Sequence, residues 1–334
     1  MKALLLRETA PIETAPLEPV EIPVPEPGDR EILIQVRACG LCHTDLHTVE
    51  GELALPKMPV VPGHQIVGVV QRVGEGVGQP RPGDRVGVGW LNSTCGECAF
   101  CESGRENLCP GGRFTGCHVD GGYAEYVVAP AAFTYPLPQG FSDEQAAPLL
   151  CGGVIGYRAL RLSGIQPGGV LGLYGFGASA HIVIQVARHW GCRVLVFTRS
   201  AAHQELAVLL GAAWAGQAAQ MPPEDPDSSI IFAPAGSLVP LALGRLKRGG
   251  TLALAGITMS PIPEMPYELL YGERTVRSVA NATRRDAREL LALAEEVPVE
   301  TRVQVFGLPD VNRALHLLKL GRINGAGVVK VATD

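Results

Sequence analysis

Four thiols fall within fifteen residues, at Cys95, Cys98, Cys101 and Cys109, framed by Gly96, Gly104 and Pro110. Short loops closed by turn residues let four sulfurs converge on one tetrahedral ion, each at about 2.3 Å. Nine cysteines in 334 residues are too few, and too grouped, for a secreted disulfide scaffold. A closed shell of four thiolates leaves no place for a substrate, so zinc here is expected to be structural, its binding partly a folding free energy. A second set is scattered: Cys42 in Gly40-Leu41-Cys42-His43-Thr44-Asp45-Leu46-His47, His64 after Pro62-Gly63, and Cys151 before Gly152-Gly153. Taken singly, each is more often a packed side chain than a functional one.

A third run, Gly175-Phe176-Gly177-Ala178-Ser179-Ala180, has the spacing G-x-G-x-x-A. Alone it reads as a tight turn; between the apolar run Val170–Tyr174 and a helical pattern over 178–190 it reads as a dinucleotide cradle. Missing side chains let backbone amides approach a pyrophosphate at the positive end of the helix, and Ala180 permits close packing on the sheet. About twenty residues on, the next strand ends in Thr198-Arg199-Ser200, with no acid between Leu195 and Gln204. An acid there holds a ribose 2′-hydroxyl, whereas an arginine accommodates a 2′-phosphate, so Arg199 with Thr198 and Ser200 favours NADP(H) over NAD(H).

These groups need two kinds of scaffold. From the first strand, at 1–6, to about 148, short Val/Ile-rich runs at 31–36, 66–70, 84–88 and 123–128 alternate with Pro/Gly turns, the pattern of a mostly antiparallel β domain. Strands are then expected at 170–174, 193–198, 229–233 and 251–255, with helices at 178–190, 201–210 and 238–247, which predicts a doubly wound, Rossmann-type parallel sheet. Two helical patterns, 284–296 and 309–320, and a strand at 328–331 are expected to return to the first domain. The expected fold class is therefore α/β, with a catalytic domain at 1–148 and 284–334 and a cofactor domain at 149–283. The charged run from Thr283 to Glu289 reads as a solvated helix start. A net charge of −5 gives no basic footprint for nucleic acid, and no window reaches the roughly 20 apolar residues of a membrane helix, so a cytoplasmic protein is expected.

Over essentially its whole length the sequence resembles the zinc-dependent medium-chain alcohol dehydrogenases. The resemblance is carried by Cys42 to His47, Gly63-His64, the cysteine lobe with Trp90-Leu91-Asn92 before it, Gly121 to Tyr126, Leu150 to Gly153, and the glycine turn. It implies a GroES-like catalytic domain, and Cys42, His64 and Cys151 as ligands of a second, catalytic zinc. It further implies Thr44 as acceptor of the alcohol proton, His47 as its exit to solvent, Asp45 as the carboxylate orienting His64, and His43 as a pyrophosphate contact. Leu53 and Trp90 would line the substrate pocket, with room for medium-length or aromatic primary alcohols and aldehydes. A homotetramer is expected first, a dimer second. A secondary-alcohol or polyol dehydrogenase, and a non-catalytic zinc- and nucleotide-binding protein, are the alternatives. The sequence departs from the family pattern at Gln65, commonly Glu, and at Ala326, where many relatives carry an arginine.

Overall fold

The computed structural model describes residues 1–297 and 299–331. The chain packs as two units. The first comprises Met1–Cys151, Ala282–Glu296 and the chain from Glu300 onward; the second is chiefly Gly152–Asn281.

In the first unit the central strand is Glu31–Leu41. It lies in the sheet order Val303–Gly307, Ala326–Lys330, Glu31–Leu41, Gln65–Val73, Arg85–Val88, Thr134–Pro136, and Tyr126–Pro130 also pairs with it. All pairings are antiparallel except that of Val303–Gly307 with Ala326–Lys330. Alternation puts Ile32, Ile34 and Val36 into the core. The register against Gln65–Val73 then shifts between Val36 and Ala38, a bulge at Arg37. That bulge reverses the parity, so Cys39 and Leu41 join the same apolar cluster as Ile32, Ile34 and Val36, while Ala38 and Gly40, also buried, face the other side of the sheet. Ala326 is a buried member of the returning strand.

The second unit is a six-stranded sheet, parallel throughout: Trp214–Gly216, Arg193–Phe197, Val170–Tyr174, Ser228–Ile231, Thr251–Leu254, Thr275–Ser278. Counted along the unit this is 3-2-1-4-5-6, the Rossmann order. Every residue of Val170–Tyr174 is buried, as expected of a central strand covered on both faces.

Several elements lie outside the sequence reading: the helices His43–Glu50 and Gly152–Ser163 and the strands Trp214–Gly216, Thr275–Ser278 and Val303–Gly307. The reading of the run at 283–289 as a solvated helix start needs correction. Thr283 and Asp286 are buried, and the Thr283 N–H and hydroxyl both donate to Asp286 Oδ2, at 2.9 and 2.6 Å. This carboxylate three residues on satisfies the cap of the helix Arg284–Glu296. Arg284 is also engaged, donating from its backbone and its Nε to Glu106 Oε1 at 3.0 and 3.3 Å, with its guanidinium over the Phe133 ring. Among the described residues no helix is long and apolar enough to cross a membrane.

Candidate active site and metal centres

Cys42 follows directly on Glu31–Leu41 and caps the helix His43–Glu50. Its N–H donates to Asp45 Oδ2 at 2.9 Å, and its Sγ accepts from the Thr44 N–H at 3.3 Å. The positive end of the helix thus faces the sulfur and favours its thiolate. His64 is fully buried at the head of Gln65–Val73, its Nδ1 2.9 Å from Asp45 Oδ1. An ionised carboxylate only accepts, so Nδ1 carries a proton, and Nε2, 3.3 Å from Cys42 Sγ, is the nitrogen placed to ligate an ion. Gly63 before it has φ of 96°, and a Cβ there would stand 2.7 Å from the Tyr123 ring. Cys151 is delivered by the buried turn Ala147–Leu150, which beds against Arg85–Val88 where a Cβ on Gly87 would meet Leu150 at 2.6 Å. Its sulfur lies 4.0 Å from that of Cys42.

These three donor atoms lie within 4.8 Å of one another. Tetrahedral zinc with bonds of about 2.3 Å to sulfur and about 2.0 Å to nitrogen sets edges of roughly 3.5–3.8 Å between ligands, close to what is found. Among the protein groups themselves the cluster is under electrostatic tension. The Cys151 thiol and burial push the Cys42 thiol well above its ordinary range. Burial pulls His64 down, but Asp45 and Cys42 outweigh it and raise the imidazole to about 10. A borderline-soft divalent cation resolves this by taking the sulfurs as thiolates and the imidazole as a neutral donor, so the residues present fit zinc.

The lobe of four cysteines also fits an ion. None of its thiols is bridged, and its Sγ atoms stand 3.4 Å (Cys95 to Cys109), 3.9 Å (Cys95 to Cys101) and 3.6 Å (Cys98 to Cys101) apart. The whole group lies within 4.8 Å.

Around the three-ligand cluster, Trp90 packs edge-on against His64 at 4.9 Å and stacks on Phe114. Thr44 is buried, Leu53 half-buried and His43 exposed. His47 Nδ1 lies 2.6 Å from Glu52 Oε2, a partner absent from the sequence reading. Gln65 is buried, its Oε1 so close to Gly40 that a Cβ there would approach to 2.7 Å, and its Nε2 has no partner among the described residues.

In the second unit Gly175 turns the chain at the end of Val170–Tyr174 with φ of 89°, and a Cβ would meet Ala233 N at 3.0 Å. Gly177 caps the helix Ala178–His189 and has open space where its Cβ would point, while Phe176 and Ala180 are buried. Beyond Arg193–Phe197, Thr198 is buried and Arg199 exposed, making no ion pair among the described residues. Ser200 Oγ accepts from the His203 N–H at 3.3 Å and caps the helix Ala201–Leu209.

Comparison with known proteins decides the family. Residues 28–139 match the alcohol dehydrogenase GroES-like domain, and residues 180–296 the zinc-binding dehydrogenase domain. A probable alcohol dehydrogenase of Mycobacterium tuberculosis is 48% identical over 337 residues, covering 99% of this chain and 97% of its own. The chain belongs to the zinc-type medium-chain alcohol dehydrogenases. An alcohol dehydrogenase of Geobacillus stearothermophilus is 37% identical, with 95% and 96% of the two chains covered. The solved cinnamyl alcohol dehydrogenase of Sorghum bicolor superimposes on this dehydrogenase with a TM-score of 0.90 at 30% identity, over 98% and 97% of the two chains.

Proposed function

We propose that this dehydrogenase transfers hydride reversibly between a primary alcohol and a nicotinamide cofactor, NADP(H) rather than NAD(H), beside a zinc held by Cys42, His64 and Cys151. The observation that carries the reading is the convergence of those three donors, with no fourth His, Cys, Asp or Glu in the group among the described residues. A shell of three protein ligands keeps one position for a reactant. When bound, the ion supplies a Lewis acid that lowers the pKa of a hydroxyl from the ~16 of bulk water towards ~7.

The chain's own residues divide the remaining work. Asp45 holds His64 in one tautomer, and Thr44 accepts the alcohol proton at Oγ1. His47 takes it onward at Nε2, its Nδ1 being engaged by Glu52. Trp90, packed against His64, and Leu53 form an apolar wall for medium-length or aromatic substrates; the cinnamyl alcohol named for the Sorghum bicolor relative is of that class. The turn Gly175, Phe176, Gly177, Ala178, Ser179 and Ala180 seats the pyrophosphate, and Arg199 with Thr198 and Ser200 receives the 2′-phosphate. A second zinc closes the lobe of Cys95, Cys98, Cys101 and Cys109. The protein works as a homo-oligomer in the cytoplasm.

The test is zinc content together with benzaldehyde reduction, followed with NADPH and with NADH. Two zincs per chain and NADPH-linked turnover are expected, with Cys42→Ser folded, holding one zinc and slower by at least about a hundredfold. Unchanged turnover in Cys42→Ser would remove the mechanism. A preference for NADH would overturn the 2′-phosphate assignment, and faster turnover of 2-propanol or sorbitol than of primary alcohols would move the substrate class.

A further inference from the structure

The four-cysteine lobe is the loop that closes a small antiparallel ribbon, Leu91–Ser93 against Arg113–Phe114, with Leu91 opposite Phe114 and Ser93 opposite Arg113. Cys95 follows the first strand and Cys109 precedes the second, and their sulfurs stand 3.4 Å apart. At the open end of the ribbon the Thr115 N–H donates to the Trp90 carbonyl and the Thr115 hydroxyl to that of Gly89, both at 2.9 Å. Strands of three and two residues have little stability of their own and no long ladder to fix their register. The pairing is also irregular between Leu91 and Ser93, so the register depends on what ties the two ends.

This ribbon carries a row of rings that starts at a metal-fitting side chain. Trp90, just before Leu91, sets its ring edge-on to that of His64, with centroids 4.9 Å apart. Phe114 lies nearly parallel to Trp90, at 10° and 5.1 Å, and meets the His118 ring edge-on at 5.2 Å. Trp90 and Phe114 are both half-buried. With one face covered by Phe114, the indole is confined to the rotamer that reaches His64. A slip of the ribbon by one residue turns Phe114 to the opposite side and removes that cover.

We infer that Phe114 is a positioning residue for substrate choice and that the four-cysteine lobe acts through it: by closing the ribbon the lobe keeps Phe114 stacked on Trp90, and Trp90 so held offers a flat wall to an aromatic substrate. The inference rests on the functional reading above, in which Trp90 lines the substrate pocket. The lobe, which has no open position for a reactant, thereby contributes to which alcohol is taken. A short aliphatic alcohol uses little of the wall and an aromatic ring uses most of it. Loss of the stack is therefore a loss of selectivity, not a general loss of turnover.

The experiment compares kcat/KM for benzyl alcohol and for ethanol in the zinc-loaded protein, alongside the emission of Trp90, taken as the difference between each protein and its Trp90→Phe counterpart. Phe114→Leu is expected to lower the benzyl alcohol to ethanol ratio about fivefold, with ethanol alone changed by less than about twofold, and to shift the Trp90 emission to longer wavelength. Phe114→Tyr, which keeps the ring, is expected to hold both readouts at the parent's values. Cys98→Ser is expected to move both in the direction of Phe114→Leu and to add less than about twofold to it in combination. Where Cys98→Ser does not fold, a glycine inserted between Gly111 and Gly112 keeps all four thiols, loosens their hold on the ribbon and is expected to move both readouts the same way. An unchanged ratio in Phe114→Leu, an equal fall for both alcohols, or a folded lobe variant that leaves both readouts in place overturns the inference. If the parent oxidises neither alcohol with either cofactor, or keeps its ratio in Trp90→Ala, the functional reading falls first; a ratio that moves in Trp90→Ala and not in Phe114→Leu sinks the inference alone.

Discussion

At Asp45 a single carboxylate meets two donors, the Cys42 N–H and the His64 Nδ1–H, each at 2.9 Å. It is buried, so neither donor has water as a substitute. Asp45→Asn turns one of its two atoms into a donor, which must then face another donor or swing away. Zinc affinity at the three-ligand site is expected to fall about 10–100-fold, the usual cost of losing the group that orients a ligating imidazole. A competition titration against a chromogenic chelator measures this, and the four-cysteine ion serves as the internal control; equal weakening at both sites would contradict it. The ligand residues stand out in the sequence because thiols and imidazoles in short patterned runs are rare. Glu52 does not stand out: its meaning depends on a left-handed Gly51 that ends a helix the hydropathy pattern does not reveal. Gln65 is similar, since a polar residue heading a strand carries no mark of being buried.

The helix Arg284–Glu296 begins in a run dense with charge, and hydropathy alone assigns such a run to solvent. Reciprocal capping and ion pairing are invisible to that measure, and here they bury Thr283 and Asp286 and tie Arg284 to Glu106, a residue lying between Cys101 and Cys109 in the chain. Arg284→Ala leaves the buried Glu106 carboxylate with one fewer donor and strips the cation from Phe133. With Arg284 itself about a third exposed, the expected loss is about 1–3 kcal/mol, read as a lower urea midpoint at unchanged slope. No change in the midpoint would mean that water replaces the guanidinium at no cost. The edge strand Thr275–Ser278 escaped the sequence for the related reason that its mostly exposed side chains read as polar. Val170–Tyr174, buried at every position, was legible to the residue.

The molecule as a whole divides its labour by unit. Both clusters of metal-fitting side chains belong to the first, and the glycine turn belongs to the second. Each unit also has its own apolar core. Because ions that bind only folded protein stabilise what they bind, prolonged chelation is expected to lower one calorimetric transition and leave the other near its original temperature. Equal displacement of all heat absorption would show that the units melt as one. The alternation of strand and helix beyond residue 150 announces a doubly wound sheet, but the spatial order of its strands becomes readable only once the crossovers are seen.

The bulge at Arg37 carries a consequence for how this protein tolerates change over evolutionary time. Upstream of it the strand is phased on even positions and downstream on odd ones, so the path to Cys42 is counted from that single extra residue. Swapping the side chain at 37 leaves the count intact. Removing the residue, or inserting one beside it, turns Cys39 and Leu41 onto the opposite buried face, where the small Ala38 and Gly40 now pack, and carries the first metal ligand off its mark, so frame-preserving indels at this spot should be far rarer among functional descendants than substitutions.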